Sequence, residues 1–256
     1  MIEFMKRLAL QAGEMCLEAS TDFDNIEVSF KSAKDLVTET DQKVEAFLKG
    51  EILKAYPEHT VIGEESGESR GIAKGKWLLD PIDGTVSFVH GLPIYTVSLA
   101  YLEDGLARAG VVYAPVLNQM FAAERGNGTE LNDSRIRVSQ RDKLIEAVLA
   151  TGFACVRAGV NPNNLPHFNK ILLHIRDIRR MGSAALDLAY VAAGKIDGFW
   201  EMCLNDYDVA AGILLVQEAG GQIVDFNGST AFPQNGILAT NGLLTDQILE
   251  LLQEPA

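Results

Sequence analysis

The sequence predicts a layered protein of mixed α+β and α/β character, with two sheets packed against helices as one body. Three observations carry this. Between residues 95 and 123 apolar side chains recur at every second position and the runs are joined by short turns, which is the pattern of an antiparallel meander. After about residue 145 short apolar strands alternate with helical stretches, as in an α/β layer with some parallel pairing. The chain has 256 residues and 47% hydrophobic content, enough for a full core. Neither a Pro/Ser-rich linker nor an internal repeat interrupts it. The expected division is therefore a soft seam, with an N-terminal half over 1–145 and a C-terminal half over 146–256.

In chain order, Phe4, Leu8 and Met15 stand at roughly helical spacing and predict an amphipathic helix over the first twenty residues. Ile26, Val28 and Phe30 alternate, as in a half-buried strand. Thr38 followed three residues later by Asp41 resembles a capping box, and Val44, Phe47, Leu48 and Ile52 continue that helix to about Tyr56, before Pro57. Short strands are expected at 60–62 and 76–79, a helix at 85–90, and meander strands at 95–101, 107–113 and 119–123. The C-terminal half should hold strands at 147–151, 197–200, 223–225 and 237–240, with helices at 183–193, 208–219 and 243–252.

Composition excludes several function classes. Twenty-two Lys and Arg stand against 35 Asp and Glu, a formal net charge of −13. Such a chain is a poor binder of nucleic acid or anionic membrane by electrostatics alone. It also repels phosphorylated metabolites unless something inverts the local field. No apolar stretch approaches the ~20 residues needed to span a bilayer. The opening Met1 to Arg7 is not a signal-peptide pattern, and Cys16, Cys155 and Cys203 are too few and too far apart for a disulfide framework. A reduced cytoplasm is the expectation, with the cysteines as small buried apolar residues. His59, His90, His167 and His174 lack metal-ligand spacing.

The acidic residues concentrate at expected strand ends and helix starts, where α/β proteins build ligand sites. Asp41 starts a helix, Glu64 and Glu65 follow a strand, Asp80 and Asp83 follow another, and Asp208 opens a helix. In Asp80-Pro81-Ile82-Asp83-Gly84-Thr85, Pro81 should force a turn. The turn can bring both carboxylates to one side and leave the Ile82 carbonyl free, an all-oxygen set suited to hard divalent cations. Gly84 permits close backbone approach, and the helix starting at Thr85 can hold a phosphate on its free N–H groups. Taken singly these features are ordinary: an Asp-rich turn is as readily a solvated loop, Asp208 an N-cap, and Glu64-Glu65 surface charge. Their joint occurrence shifts the balance.

Gly63-Glu64-Glu65-Ser66 and then Trp77-Leu78-Leu79-Asp80-Pro81-Ile82-Asp83-Gly84-Thr85, with Phe88, His90-Gly91 and Pro93, resemble the first signature of the inositol monophosphatase family. Tyr207-Asp208-Val209-Ala210-Ala211-Gly212, followed by Glu218-Ala219-Gly220-Gly221, resembles the second. Lys34 to Asp41 and Arg180 to Ala185 resemble further family segments, and the match runs in order over about residues 1–255. Two departures stand beside the site: Tyr207 where the family usually has Trp, and Ser87 where it usually has Asn.

The resemblance implies an αβαβα sandwich like that of the metal-dependent sugar phosphatases, with an antiparallel meander sheet and a smaller mixed sheet. It implies Mg²⁺, two or three ions per site. Glu64, Asp80 and the Ile82 carbonyl would hold one, and Asp80, Asp83 and Asp208 a second. A water activated there would attack the phosphate, oriented and deprotonated by Glu64 and Thr85, with Asp41 accepting from Thr85. The substrate would meet Asp83, Ser183, the Ala184 backbone and Glu201, with the Gly84 and Thr85 amides on phosphate. By residue reading alone, Glu201 is a strand-end charge and Ser183 a helix N-cap. Lys34 and Arg180 add positive charge at the mouth or, for Arg180, an interface or surface. The implied reaction is hydrolysis of a small polyol or sugar phosphate, first of all myo-inositol 1-phosphate, by a lithium-sensitive homodimer. Fructose 1,6-bisphosphate, histidinol phosphate and 3′-phosphoadenosine 5′-phosphate are alternative substrates, and a non-enzymatic regulatory protein on the same fold is an alternative function.

Overall fold

The structure, a computed structural model, describes residues 1–21, 28–32, 35–230 and 236–253. The expected strand residue Ile26 and the mouth residue Lys34 lie outside them. Helix α1 (Ile2–Ala19) buries Met5, Leu8, Ala12 and Cys16, a stripe at helical spacing. Helix α2 (Glu39–Ala55) starts at the capping box that Thr38 and Asp41 form reciprocally, and it buries Val44, Leu48 and Ile52.

The larger sheet has eight strands: β3 (Thr60–Gly63), β4 (Gly67–Ser69), β5 (Gly75–Asp83), β6 (Thr96–Glu103), β7 (Leu106–Ala114), β8 (Gln119–Glu124), β9 (Thr129–Leu131) and β10 (Ser134–Ile136). They lie in the order β10-β9-β8-β7-β6-β5-β3-β4. The meander β6 to β8 is the expected one. The sheet is not wholly antiparallel, because β3 pairs parallel to β5. Strand alternation sorts its two faces. Trp77, Leu79, Leu99, Val111 and Tyr113 pack under α1 and α2. Leu78, Ala100, Val112 and Phe121 face the helices α6 (Ala184–Ala192) and α7 (Asp206–Glu218) instead.

Five strands make the smaller, mixed sheet: β11 (Val148–Thr151), β12 (Asp177–Arg179), β13 (Gly198–Glu201), β14 (Gln222–Val224) and β15 (Ile237–Thr240), in the order β12-β11-β13-β15-β14. β11 is parallel to both neighbours, whereas β15 runs antiparallel to β13 and β14. Phe199 and Ala239 face α6 and α7, whereas Leu149, Trp200 and Leu238 pack with α5 (Leu165–Leu172) and α8 (Thr245–Gln253). The layers are therefore helices, large sheet, helices, small sheet, helices, the αβαβα arrangement expected. The large sheet ends at Ile136 and the small one begins at Val148, yet one core cluster draws residues from both sides of that junction. Buried Asp197 pins the connecting segment, accepting from Ser139 Oγ at 2.5 Å, Arg141 Nη1 at 2.9 Å and the Val148 amide at 2.8 Å. A separate hairpin pairs β1 (Val28–Ser32) with β2 (Asp35–Thr38). Among the described residues no helix is long and apolar enough to cross a membrane.

Candidate active site

A cleft of about 1080 Å³ opens where the strand ends of both sheets meet the N-termini of the middle helices. Glu64, Asp80, Ile82, Asp83, Gly84, Thr85, Ser183, Ala184, Glu201 and Asp208 all line it. Asp41 does not line it but touches it through Thr85.

The end of β5 is built differently from the expected turn. Asp80 pairs with Ser98 and Asp83 with Thr96, so Pro81 and Ile82 lie opposite the single residue Val97. This is a bulge within the strand. Proline cannot donate to the ladder and is accommodated where the pairing is already broken. The extra residue re-aims the side chains, and the Ile82 amide donates to Asp80 Oδ1 at 3.0 Å. Gly84 follows with φ of +100°, where a Cβ would approach the Ile94 carbonyl oxygen to 2.9 Å. The short helix α3 (Thr85–Val89) then starts with its first turn on the cleft.

Thr85 Oγ1 stands 3.2 Å from Asp41 Oδ1 and 3.1 Å from the Ile82 carbonyl oxygen. The carbonyl is thus not wholly free, as the sequence suggested, but one of its two lone-pair directions remains. Thr85 has one proton for two acceptors. Asp41 is fully buried, and its other oxygen accepts from the Thr38 amide at 2.8 Å and from the Thr38 hydroxyl. Burial pushes the Asp41 carboxyl above the usual range, the Thr38 bonds oppose this, and Glu64 adds to the rise.

Asp83 Oδ2 accepts from Ser183 Oγ and from the Ala185 amide, each at 2.7 Å. Ser183 Oγ also accepts from the Leu186 amide at 3.2 Å, so it caps α6 and faces the cleft at once. Its single proton goes to Asp83, so Thr96 Oγ1, 3.2 Å away, is the donor in that contact. Asp208 is the third residue of α7 rather than its N-cap: Asn205 caps the helix, and its amide donates to Asp208 Oδ2 at 2.6 Å. Glu201 closes β13 and accepts from the Ala154 amide at 3.0 Å.

Electrostatics binds these acids into one system. Burial, then the charges of Glu64, Asp83 and Asp208, push Asp80 well above the carboxylate range. Asp208 is pushed well up by burial and then by Asp83. Asp83 rises to about 6, mainly through burial, and Glu201 to about 7 for the same reason. The donors are oxygens only, the chemistry a hard divalent cation requires. Asp80, Asp83 and Asp208 each tie one oxygen to a backbone amide or hydroxyl, which sets the direction of the other. Among the described residues, no three His, Cys, Asp or Glu side chains already stand as a group able to hold an ion. The all-oxygen donor set nevertheless fits such a cation.

Sequence reading missed Asp187, 2% exposed, which lines the cleft on α6 with an Oδ1 that has no hydrogen-bond partner among the described residues. Its position one helical turn after Ser183 is a signal only once Ser183 is known to face the site. Arg180, read as an interface, surface or mouth residue, lines the cleft, as do Arg157, Ser87 and Tyr207. Cys203 also lines it and is exposed, whereas Cys16 and Cys155 are buried as expected.

A sequence model of the inositol monophosphatase family matches residues 1–255. The chain belongs to the inositol monophosphatase family. Its similarity to an inositol-1-monophosphatase of Mesorhizobium japonicum is 37% identity, over 100% of this chain and 97% of that one. A Nus factor SuhB of Pseudomonas aeruginosa is 42% identical, over 99% and 96% respectively. Among solved structures, the extragenic suppressor protein SuhB of Bartonella henselae superposes with a TM-score of 0.92 at 38% identity, covering 98% of each chain. The IMPase of Thermotoga maritima gives 0.88 at 36% identity, over 98% of this chain and 95% of that one. Inositol monophosphatase family membership implies metal-dependent phosphatase chemistry.

Proposed function

We propose that the protein is a Mg²⁺-dependent phosphatase of small polyol or sugar phosphates, with myo-inositol 1-phosphate as its first substrate. The observation that carries this is the meeting of Glu64, Asp80, Asp83 and Asp208, from segments far apart in sequence, in one cleft beside the Thr85–Asp41 contact. Glu64, Asp80, the Ile82 carbonyl, Asp83 and Asp208 would hold two or three Mg²⁺ ions. Bound there, Mg²⁺ supplies charge neutralisation for the phosphate and lowers the pKa of a water molecule.

The chain's own residues supply positioning. Thr85 donates its proton to Asp41, which leaves the hydroxyl oxygen to accept a hydrogen bond from the attacking water. Asp41, held by Thr38, is the acceptor behind it. Glu64 is a second acceptor for that water. The Gly84 and Thr85 amides orient the phosphate, and phosphoryl transfer asks for little more than such positioning. At the other end of the cleft Glu201, Ser183 and the Ala184 backbone take substrate hydroxyls. Two buried carboxylates, Glu201 and Asp187, suit a polyol because each accepts more than one hydroxyl. The protein is expected to act as a lithium-inhibited, cytoplasmic homodimer.

The test is a panel of inositol 1-phosphate, fructose 1,6-bisphosphate, histidinol phosphate and 3′-phosphoadenosine 5′-phosphate, assayed for phosphate release with Mg²⁺, with lithium and with chelator. Full activity in chelator overturns the mechanism, and turnover of none of the four overturns the enzymatic reading. A second reading, a non-enzymatic regulatory protein, is favoured by one finding: several relatives at 38–42% identity are named Nus factors or putative Nus factors. That reading would gain if the fold and cation binding were intact but no substrate turned over.

A further inference from the structure

Asp41, Glu45 and Lys49 follow one another at four-residue spacing on α2 and so share one helix face. That face meets both segments that carry the chemistry. Asp41 takes the Thr85 hydroxyl. Glu45, 1% exposed, accepts the Glu65 amide on Oε2 and the Ser66 amide on Oε1, each at 2.7 Å. Lys49 Nζ donates to Ser66 Oγ at 2.8 Å. Gly63 makes the approach feasible, since a Cβ there would lie 2.3 Å from the Glu45 carboxyl carbon.

A carboxylate that receives two successive amides fixes two adjacent peptide planes. The first of these planes joins Glu64 to Glu65, so its orientation sets where the Glu64 side chain leaves the backbone. The other anchor is on the far side of the same residue, where the Glu64 amide donates to the Leu79 carbonyl at 3.2 Å. With both flanking peptides held, Glu64 has only its own side-chain torsions to vary.

We propose that Glu45 is a positioning residue, which holds the 64–66 turn so that Glu64 is presented to the cleft in the geometry that binds a divalent cation. This rests on the metal-dependent reading of the site. Partners that orient a ligand from behind typically set metal affinity by 10–100-fold. A staple serving stability alone would lower the melting temperature and leave the cation affinity of the folded protein unchanged.

The experiment uses the full chain with Glu45→Gln and Glu45→Asp. Gln keeps the length but turns one acceptor into a donor facing an amide N–H, and Asp keeps the charge but falls short of both amides. Mg²⁺ binding is measured by calorimetry, the Mg²⁺ half-saturation by phosphate release, and folding by the melting temperature in chelator. The expected result for a folded variant is a Mg²⁺ Kd raised about 10–100-fold, with half-saturation shifted in parallel and turnover restored at high Mg²⁺. A folded variant whose Kd lies within threefold of wild type overturns the proposal. Should the Gln variant fail to fold, the Asp variant is read by the same criterion. Wild-type protein that takes up no Mg²⁺ overturns the metal-dependent function instead, which keeps the two failures apart.

Discussion

Replacing Glu201 by Gln separates what the cleft costs the fold from what it does for a substrate. Glu201 is 6% exposed, and its carboxyl rises from 4.5 to about 7, chiefly through burial, with Asp83 adding and Arg180, Arg157 and the Ala154 amide opposing. At about 1.36 kcal/mol per pH unit, that difference is worth roughly 3 kcal/mol. Below pH 4.5 the group is protonated in both states and contributes nothing. Between 4.5 and about 7 the unfolded chain releases the proton and the folded chain keeps it, so stability falls as pH rises. Above that window the whole amount has been lost. Gln removes the charge and keeps an oxygen for the Ala154 amide. In chelator at pH 8 the variant should therefore be more stable, by up to about 3 kcal/mol or roughly 6–12 °C in Tm. The gap should close as pH falls toward 4.5. Thermal melts across that range check it. A variant that melts below wild type at pH 8, or a gap that ignores pH, refutes the electrostatic account. KM for a polyol phosphate should rise about 10–100-fold if the carboxylate takes substrate hydroxyls.

Asp41→Asn keeps the shape of the capping box but turns an amide nitrogen toward Thr85 or Thr38, and kcat should fall by about 10²–10⁴ with the fold intact; the assay is phosphate release beside a melt. Asp208→Asn leaves an oxygen for the Asn205 amide while removing a ligand charge, so kcat/KM should drop by at least about 100-fold, and a change below threefold would mean the site is misplaced. Asn164 is fully buried, accepts from Trp200 Nε1 at 2.8 Å and donates to Thr151 Oγ1 and the Gly152 carbonyl, each at 2.8 Å. Asn164→Ala removes the acceptor of Trp200 Nε1 and the donor to the Gly152 carbonyl, while Thr151 keeps its bond to the Trp200 carbonyl, and should lower stability by about 3–5 kcal/mol, read by denaturant titration; a loss under about 1 kcal/mol would show that water replaces the side chain.

What could be read in advance follows period and chemistry. The apolar run Trp77, Leu78 and Leu79 predicts a short strand and Thr38 with Asp41 a helix start, because each signal lies within a few residues; that the strand is buried on both faces emerges only in the structure. Strands β4, β9, β10 and β12 have three residues each and, unlike the equally short β14 with its adjacent Ile223 and Val224, no apolar pair to mark them. The bulge at Pro81 was read as a turn, since a missing amide proton says only that pairing breaks there and not that the partner strand continues past it. Asp208, which taken singly reads as an N-cap, is the residue that answers the cap three positions earlier. The candidate ligand residues that line the cleft stand within long motifs. Asp187, Arg157 and Glu45 do not, and their roles arise only when the layers bring α6, α4 (Ala154–Arg157) and α2 against the cleft.

The same acids that weaken the free protein would favour a bound cation in the cleft. Asp80, Asp83, Asp187, Glu201 and Asp208 are all pushed the same way by burial, and the charge of another cleft acid adds to the rise of each. Two guanidiniums in the lining, Arg157 and Arg180, do not balance them. A divalent cation bound there would reverse the sign of each repulsion at once, and its affinity would draw on energy the fold has already spent. The acids cannot escape by rotating away. The Ile82 amide holds Asp80, Ala185 holds Asp83, Ala154 holds Glu201 and Asn205 holds Asp208. Each of these amides belongs to a strand bulge or a helix start, where the backbone leaves a donor unused by its own ladder. The direction of these carboxylates is thus set mainly by backbone amides, with the Ser183 hydroxyl as a second donor to Asp83, and loosening one layer should misdirect one carboxylate while its neighbours keep their aim.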